Sequence, residues 1–282
     1  MTMLSINTNV GALTAAQHSY SVNKSMETSM ERLASGKRVN GAADDAAGLA
    51  IANRLTAEIN GLQQSIRNAG DAQAMLGVAE GALEEVHTIL LRMRELAVQG
   101  ATDTLTAADR DMLQLEVAAL ESEIQRISDD TMYAGISLLG GGFASGATFQ
   151  IGPRNSDTIQ ISFGAINATT AVSAANAGGL NLASFVSTQA GAQGYITTIS
   201  NAISVISEDR ARYGAVMNRL DHAIANMANI VTNTVAAKGR IMDADYAAES
   251  ANLARTQVLQ QASMAMLSQA NASKQNILAL FN

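Results

Sequence analysis

Side chains able to do chemistry are few and scattered in this 282-residue sequence. Histidine occurs three times, as His18, His87 and His222, and cysteine is absent. Without cysteine there are no disulfides, no thiolate nucleophile and no sulfur-ligated metal. Glu84, Glu85 and His87 crowd one helical turn and carry the groups of an acid–base site. Such a site needs a nucleophile, an orienting partner or a phosphate-binding loop beside it, and none accompanies them; they read as a solvated helix face. Asp44 with Asp45, and Asp243 with Asp245, offer paired carboxylates. A calcium loop needs further oxygen ligands and a glycine at fixed offsets, so both pairs read as helix starts, where a carboxylate satisfies free amides and complements the helix dipole. The sequence is that of a non-enzyme without cofactor or metal. With a net charge of −7 and no basic stripe, it is also unsuited to nucleic acid, whose phosphates demand clustered cations.

What needs explaining is the apolar character of both ends. The first charged side chain is Lys24, and none lies between Arg255 and Lys274. Leu4, Ile6, Val10 and Leu13 at one end, and Leu253, Leu259, Met266, Leu267, Ile277 and Leu280 at the other, form stripes that one partner helix cannot cover. Chain termini are ordinarily polar and frayed. No run reaches the roughly 20 apolar residues of a membrane span, so membrane insertion is not expected, and no secretory signal is visible. These stripes are therefore read as surfaces that meet either copies of the same chain or another partner.

Between the ends the sequence has a strong helical beat. Leu55, Ile59, Leu62 and Ile66, then Leu83, Val86, Leu90, Met93 and Ala97, then Leu113, Val117, Leu120, Ile124 and Ile127 alternate spacings of three and four. Ile196, Ile199, Ile203 and Ile206, and after them Tyr213, Met217, Leu220, Ile224, Met227 and Val231, resume it. Such spacing puts each set on one stripe that must meet another helix. Thr106 and Asp109 form a capping-box pattern behind Gly100, so the first half turns back there as an antiparallel pair. Gly36, Asn40 and Gly41, and later Gly239, mark polar joints. From Met132 to Tyr195 the only charges are Arg154 and Asp157, and the stretch "TFQIGPRNSDTIQISF" alternates apolar residues around a turn, which predicts a hairpin.

The expected fold is mainly α. Long antiparallel helices form a rod-like bundle with a β-hairpin and loop-rich middle and terminal coiled-coil-forming helices. Its parts are an apolar N-terminal helix (1–40), the N-terminal half of the rod (41–132), a strand- and loop-rich middle (133–194), the C-terminal half of the rod (195–238) and an apolar C-terminal helix (239–282).

The stretches "SINTNVGALTAAQ", "RLASGKRVNGAADDAAGLAIANRL", "RMRELAVQ" and "GRIMDADYAAESANLARTQVLQQASMAMLSQAN" resemble the two ends of bacterial flagellin. That resemblance implies a structural subunit exported unfolded through the flagellar type III apparatus. It would polymerise into the extracellular flagellar filament for swimming motility, with its terminal helices disordered until they form the filament's inner tube. The implied partners are other flagellin subunits, the filament cap and hook-junction proteins, and an export chaperone. In the family the stretch seen here as "LLRMRELAVQ" is also sensed by an innate Toll-like receptor. Arg92, Glu95, Leu96 and, on the next helix, Glu116 occupy matching positions, and they admit either that contact or lateral packing between subunits. Several departures stand out: the middle is short, Lys274 stands where the family often has proline, Met1 and Thr2 precede "MLSINTN", and in the receptor stretch Ala119 stands where a contacting glutamine is expected and Gln125 where an acidic residue is common. The alternatives are a hook–filament junction protein, which shares the terminal design, and a surface-exposed helical binding protein that does not polymerise.

Overall fold

The computed structural model describes residues 8–143, 146–166 and 186–279, with side chains described as far as residue 273. Among the described residues the chain forms five helices: α1 (Val10–Ser35), α2 (Ala46–Gly100), α3 (Ala107–Asp130), α4 (Gln189–Met242) and α5 (Tyr246–Ala279). Four short strands lie between α3 and α4: β1 (Met132–Tyr133), β2 (Ile136–Ser137), β3 (Ala147–Gln150) and β4 (Thr158–Ile161). The chain divides into two compact units, one made of residues 60–231 and the other of residues 1–59 with 232–282.

In the larger unit, the helices begin and end where the polar residues dictate. Thr106 caps α3: its hydroxyl accepts from the amide of Asp109, while the Asp109 carboxylate accepts from the amide of Thr106 at 2.9 Å. This closes the expected capping box and satisfies otherwise orphaned donors. Arg110 then reaches back, donating from Nε to the carbonyl of Gly100 at 2.9 Å and from Nη2 to that of Thr102 at 2.7 Å. With Arg92 pairing Glu116 further along, α2 and α3 run antiparallel, as the periodicity required.

The core of this unit follows the stripes. On α2, Leu62, Ala69, Ala72, Leu76, Ala79, Leu83, Val86, Leu90, Met93 and Ala97 are buried, and on α4 Ala192, Tyr195, Ile199, Ala202, Ile206, Tyr213, Leu220 and Met227 are buried. Val117 and Ile124 supply the α3 share. A repeat of three and four sustained over so many turns is the pattern of helices packed along a coiled-coil seam. Glu80 and Arg210 tie α2 to α4 at 2.7 Å.

The middle segment covers the bundle. β3 and β4 form the expected antiparallel hairpin, with Phe149 opposite Ile159 and Ala147 opposite Ile161. Ala147, Ile159 and Ile161 are buried, so the apolar alternation faces inward, and the amide of Asn68 on α2 holds the Gln150 carbonyl at 2.9 Å. Phe163, beyond β4, stacks at a tilt between Phe143 and Tyr213, with ring centroids 5.7 and 5.6 Å away. β1 and β2 make a second, two-residue hairpin whose central residues Ala134 and Gly135 both have positive φ, at 51° and 82°. Such turns suit asparagine and glycine, and an alanine in this conformation costs about 1 kcal/mol. Ala134→Asn should therefore raise the melting temperature of this unit by a few degrees in calorimetry.

Two carboxylates, half-buried Glu121 and buried Asp209, add a pH dependence. The phenol of Tyr195 donates to Glu121 at 2.8 Å, and Asp209, buried against Gly164, is held by Arg212 at 3.1 Å. Burial pushes both carboxyls above the usual range, against the pull of Tyr195 in one case and Arg212 in the other. A carboxyl raised in the folded state contributes stability that is present below its ordinary value and lost as pH rises through the folded one. Asp209→Asn should accordingly gain on the wild type between pH 4 and pH 7, read as a urea midpoint that moves up relative to the wild-type midpoint at the higher pH.

Candidate assembly surface

The smaller unit is built from the two ends of the chain. Gly36 ends α1 in the left-handed conformation, with φ of 69°, a turn that glycine makes at no steric cost. The strand-like joint that follows pairs with its counterpart before α5. Lys37 bridges Asp243, the amide of Arg38 donates to the carbonyl of Met242 at 2.6 Å, and the amide of Ala244 donates to that of Gly36 at 3.0 Å. Val39, Ala52 and Met242 form a small core beside it, with Leu49 and Ile241 packed on. Carboxylates at the joints serve as helix starts. Asp45 accepts from the amide of Gly48 at 2.8 Å, and Asp245 accepts from those of Ala247 and Ala248 at 2.9 and 3.2 Å. Asp44 instead holds the preceding turn, accepting from the amides of Asn40 and Gly41, and these bonds lower its pKa.

From the joint, α1 and α5 run antiparallel. Arg32 faces Glu249, the amide of Gln260 donates to Asn23 at 2.8 Å, and that of Asn9 donates to the carbonyl of Ala270 at 3.2 Å. Among the half-buried or buried positions are Ala12, Ala15, Ser19, Val22, Met26, Ser29 and Leu33 on α1, and Glu249, Leu253, Thr256, Gln260, Ser263, Leu267 and Ala270 on α5. Both sets alternate threes and fours, the signature of a two-helix seam. The seam is lined mostly by small or polar residues.

The seam's bulky apolar members are Val22, Met26, Leu33, Leu253 and Leu267, all half-buried, and the other bulky apolar residues of the pair face outward. Val10 and Leu13 are 61% exposed, Met266 is 64% exposed and Leu259 is 45% exposed, and Tyr20, Met30, Val258 and Met264 join them on the outside. Along the pair runs a groove of about 500 Å³ lined by Gly11, Ala15, His18, Leu259, Met266 and Ala270 among others. The expected assembly residues thus separate into two groups. Val10, Leu13, Leu259 and Met266 face outward, while Leu253 and Leu267 sit half-buried in the seam against α1. Leu4, Ile6 and Leu280 lie outside the described residues, as does the side chain of Ile277.

The second expected surface lies on the larger unit and needs one correction. Arg92 donates to Glu116 at 2.9 Å and to Glu95 at 3.1 Å, and the three side chains are between 45 and 70% exposed. Glu116 first, then Glu95, holds the guanidinium more firmly protonated. Leu96, by contrast, is 1% exposed. It lies three residues after Met93, on the buried stripe of α2, so it belongs to the core and offers nothing to a surface partner. Glu84 and Glu85 are exposed.

Two chain ends that pair with each other and still leave a row of large apolar side chains exposed are the design of a self-associating structural subunit. The chain matches the model of the bacterial flagellin N-terminal helical region over residues 6–144 and that of the bacterial flagellin C-terminal helical region over residues 196–281. It is 39% identical to a flagellin of Halalkalibacterium halodurans, over 98% of both chains, and 37% identical to a flagellin of Bacillus subtilis, over 98% of this chain and 99% of that one. A solved structure described as a putative flagellar hook-associated protein from Vibrio parahaemolyticus shares the fold, with a TM-score of 0.60 at 15% identity, over 71% of this chain and 100% of that one. The chain belongs to the bacterial flagellin family. It is a structural subunit of the flagellar filament, an extracellular appendage, and polymerises with copies of itself; it is not an enzyme.

Proposed function

We propose that polymerisation runs through the outward face of the α1–α5 pair. Val10, Leu13, Leu259 and Met266 pack against neighbouring copies, and Leu4, Ile6, Ile277 and Leu280 take part in the same assembly. Leu253 and Leu267 act within the subunit, holding the pair together. The observation that carries this reading is the row of bulky apolar side chains left exposed on the pair, beside a seam that is itself lined mostly by small or polar residues. Each such side chain gains about 1.5–3 kcal/mol when fully covered. A helical filament requires an open, head-to-tail interface, in which the covering surface differs from the covered one.

The same exposed face suits the family's other partners: an export chaperone before assembly, and the filament cap and hook-junction proteins at the ends of the polymer. The Arg92, Glu95 and Glu116 cluster serves lateral packing between subunits, and an innate Toll-like receptor would meet the same exposed charges on a free subunit. The test is seeded elongation at neutral pH followed by electron microscopy. Long filaments growing from short seeds are expected; monomers that persist beside intact seeds would sink the reading.

A further inference from the structure

The seam between α1 and α5 is interrupted by a cleft of about 360 Å³ lined by polar residues, Ser25, Ser29, Arg32, Glu249, Arg255 and Thr256 among them. Its guanidiniums are under-used. Arg32 comes no nearer to Glu249 than 3.6 Å, which is too long for a hydrogen bond, and its Nε is buried with no hydrogen-bond partner. Arg255 makes one bond, to Asn252 at 3.1 Å. The hydroxyls of Ser25 and Thr256 are committed as donors to the carbonyls of Ser21 and Leu253, so the guanidiniums are the groups left to hold an acceptor. A guanidinium carries five donors in a planar fork matched to two oxygens of one group, and an orphaned buried donor is costly. The side chain of Arg32 remains 29% exposed, so it is free to turn onto an acceptor that enters.

We propose that this cleft is an oxyanion site: a carboxylate- or sulfate-sized group enters it, takes the fork of Arg32 and is held by Arg255 as the second cation. Glu249 competes for the same guanidinium from inside the chain. The oxyanion comes either from solution or from a carboxylate of a second copy, and the chemistry recognised is the same.

The test uses the full chain labelled with nitrogen-15, titrated with sodium sulfate and, separately, with sodium chloride at matched ionic strength. The Nε–H signal of Arg32 is expected to move saturably with sulfate in the millimolar range and to ignore chloride. Glu249→Gln removes the internal competitor and should tighten sulfate binding by about fivefold, whereas Arg32→Lys, which keeps the charge but loses the fork, should weaken it by about tenfold. Equal responses to the two salts, a signal that stays still in both the wild type and Glu249→Gln, or a Glu249→Gln affinity no tighter than wild type would overturn the proposal. A second arm, which rests on the assembly reading above, names the source. Sulfate that raises the monomer concentration left unassembled assigns the site to a neighbour's carboxylate, and sulfate that binds without that effect assigns it to the free ion.

Discussion

Removing residues 256–282 should leave a chain that stays monomeric beside intact seeds, while the larger unit melts as in the full chain. The deletion takes Leu259, Met266 and most of α5, so α1 loses its seam partner and the outward face loses half its apolar side chains. Most helical stability in a protein comes from tertiary packing, and α1, whose only buried residue is Ser29, would have little left to hold it. A finer version keeps the seam. Leu259→Asp combined with Met266→Asp changes two exposed positions, which costs the subunit itself little. In the polymer each carboxylate would be buried without a partner, at least about 3 kcal/mol for the pair. The monomer concentration at equilibrium with filaments should then rise by at least ~100-fold. Sedimentation after seeding reads both. Filaments at wild-type concentrations from either variant would mean that the terminal face is not the assembly surface.

The second large effect lies in the core of the other unit. Leu83→Ala is expected to destabilise the fold by about 3–4 kcal/mol, because Leu83 is completely buried on the α2 stripe and its removal both forfeits transfer energy and opens a cavity. Urea unfolding of the Δ256–282 chain isolates the measurement from assembly. A loss below about 1 kcal/mol would show that the α2 stripe is not closely packed there. The two experiments also separate the roles of the units: one change abolishes growth with the fold intact, and the other weakens the fold with the outward face untouched.

Much of this architecture is legible in the residues. The stripes on α2, α3 and α4 are long enough that a period of three and four admits one structure, and the Thr106–Asp109 box, the Asp45 and Asp245 helix starts and the β3–β4 hairpin all follow local rules. What was not legible depends on partners far away in sequence. Leu253 and Leu267 look like Leu259 from composition, and only the position of α1 separates seam from surface. Leu96 could have been placed by counting from Met93, since it extends the stripe already read as buried. The β1–β2 turn gave no signal, because an alanine at positive φ is not a turn-forming residue. The Arg32 cleft arises from side chains more than two hundred positions apart.

The joint between Lys37 and Asp243 has a consequence for timing. Pairing these residues, and α1 with α5 beyond them, closes a loop of more than two hundred residues, and that entropy must be overcome before any contact rewards it. The helices of the larger unit form from local contacts and shorten the loop first. In a chain delivered amino end first, α1 waits without its mate until the last residues arrive, so the adhesive surface is withheld until the molecule is whole.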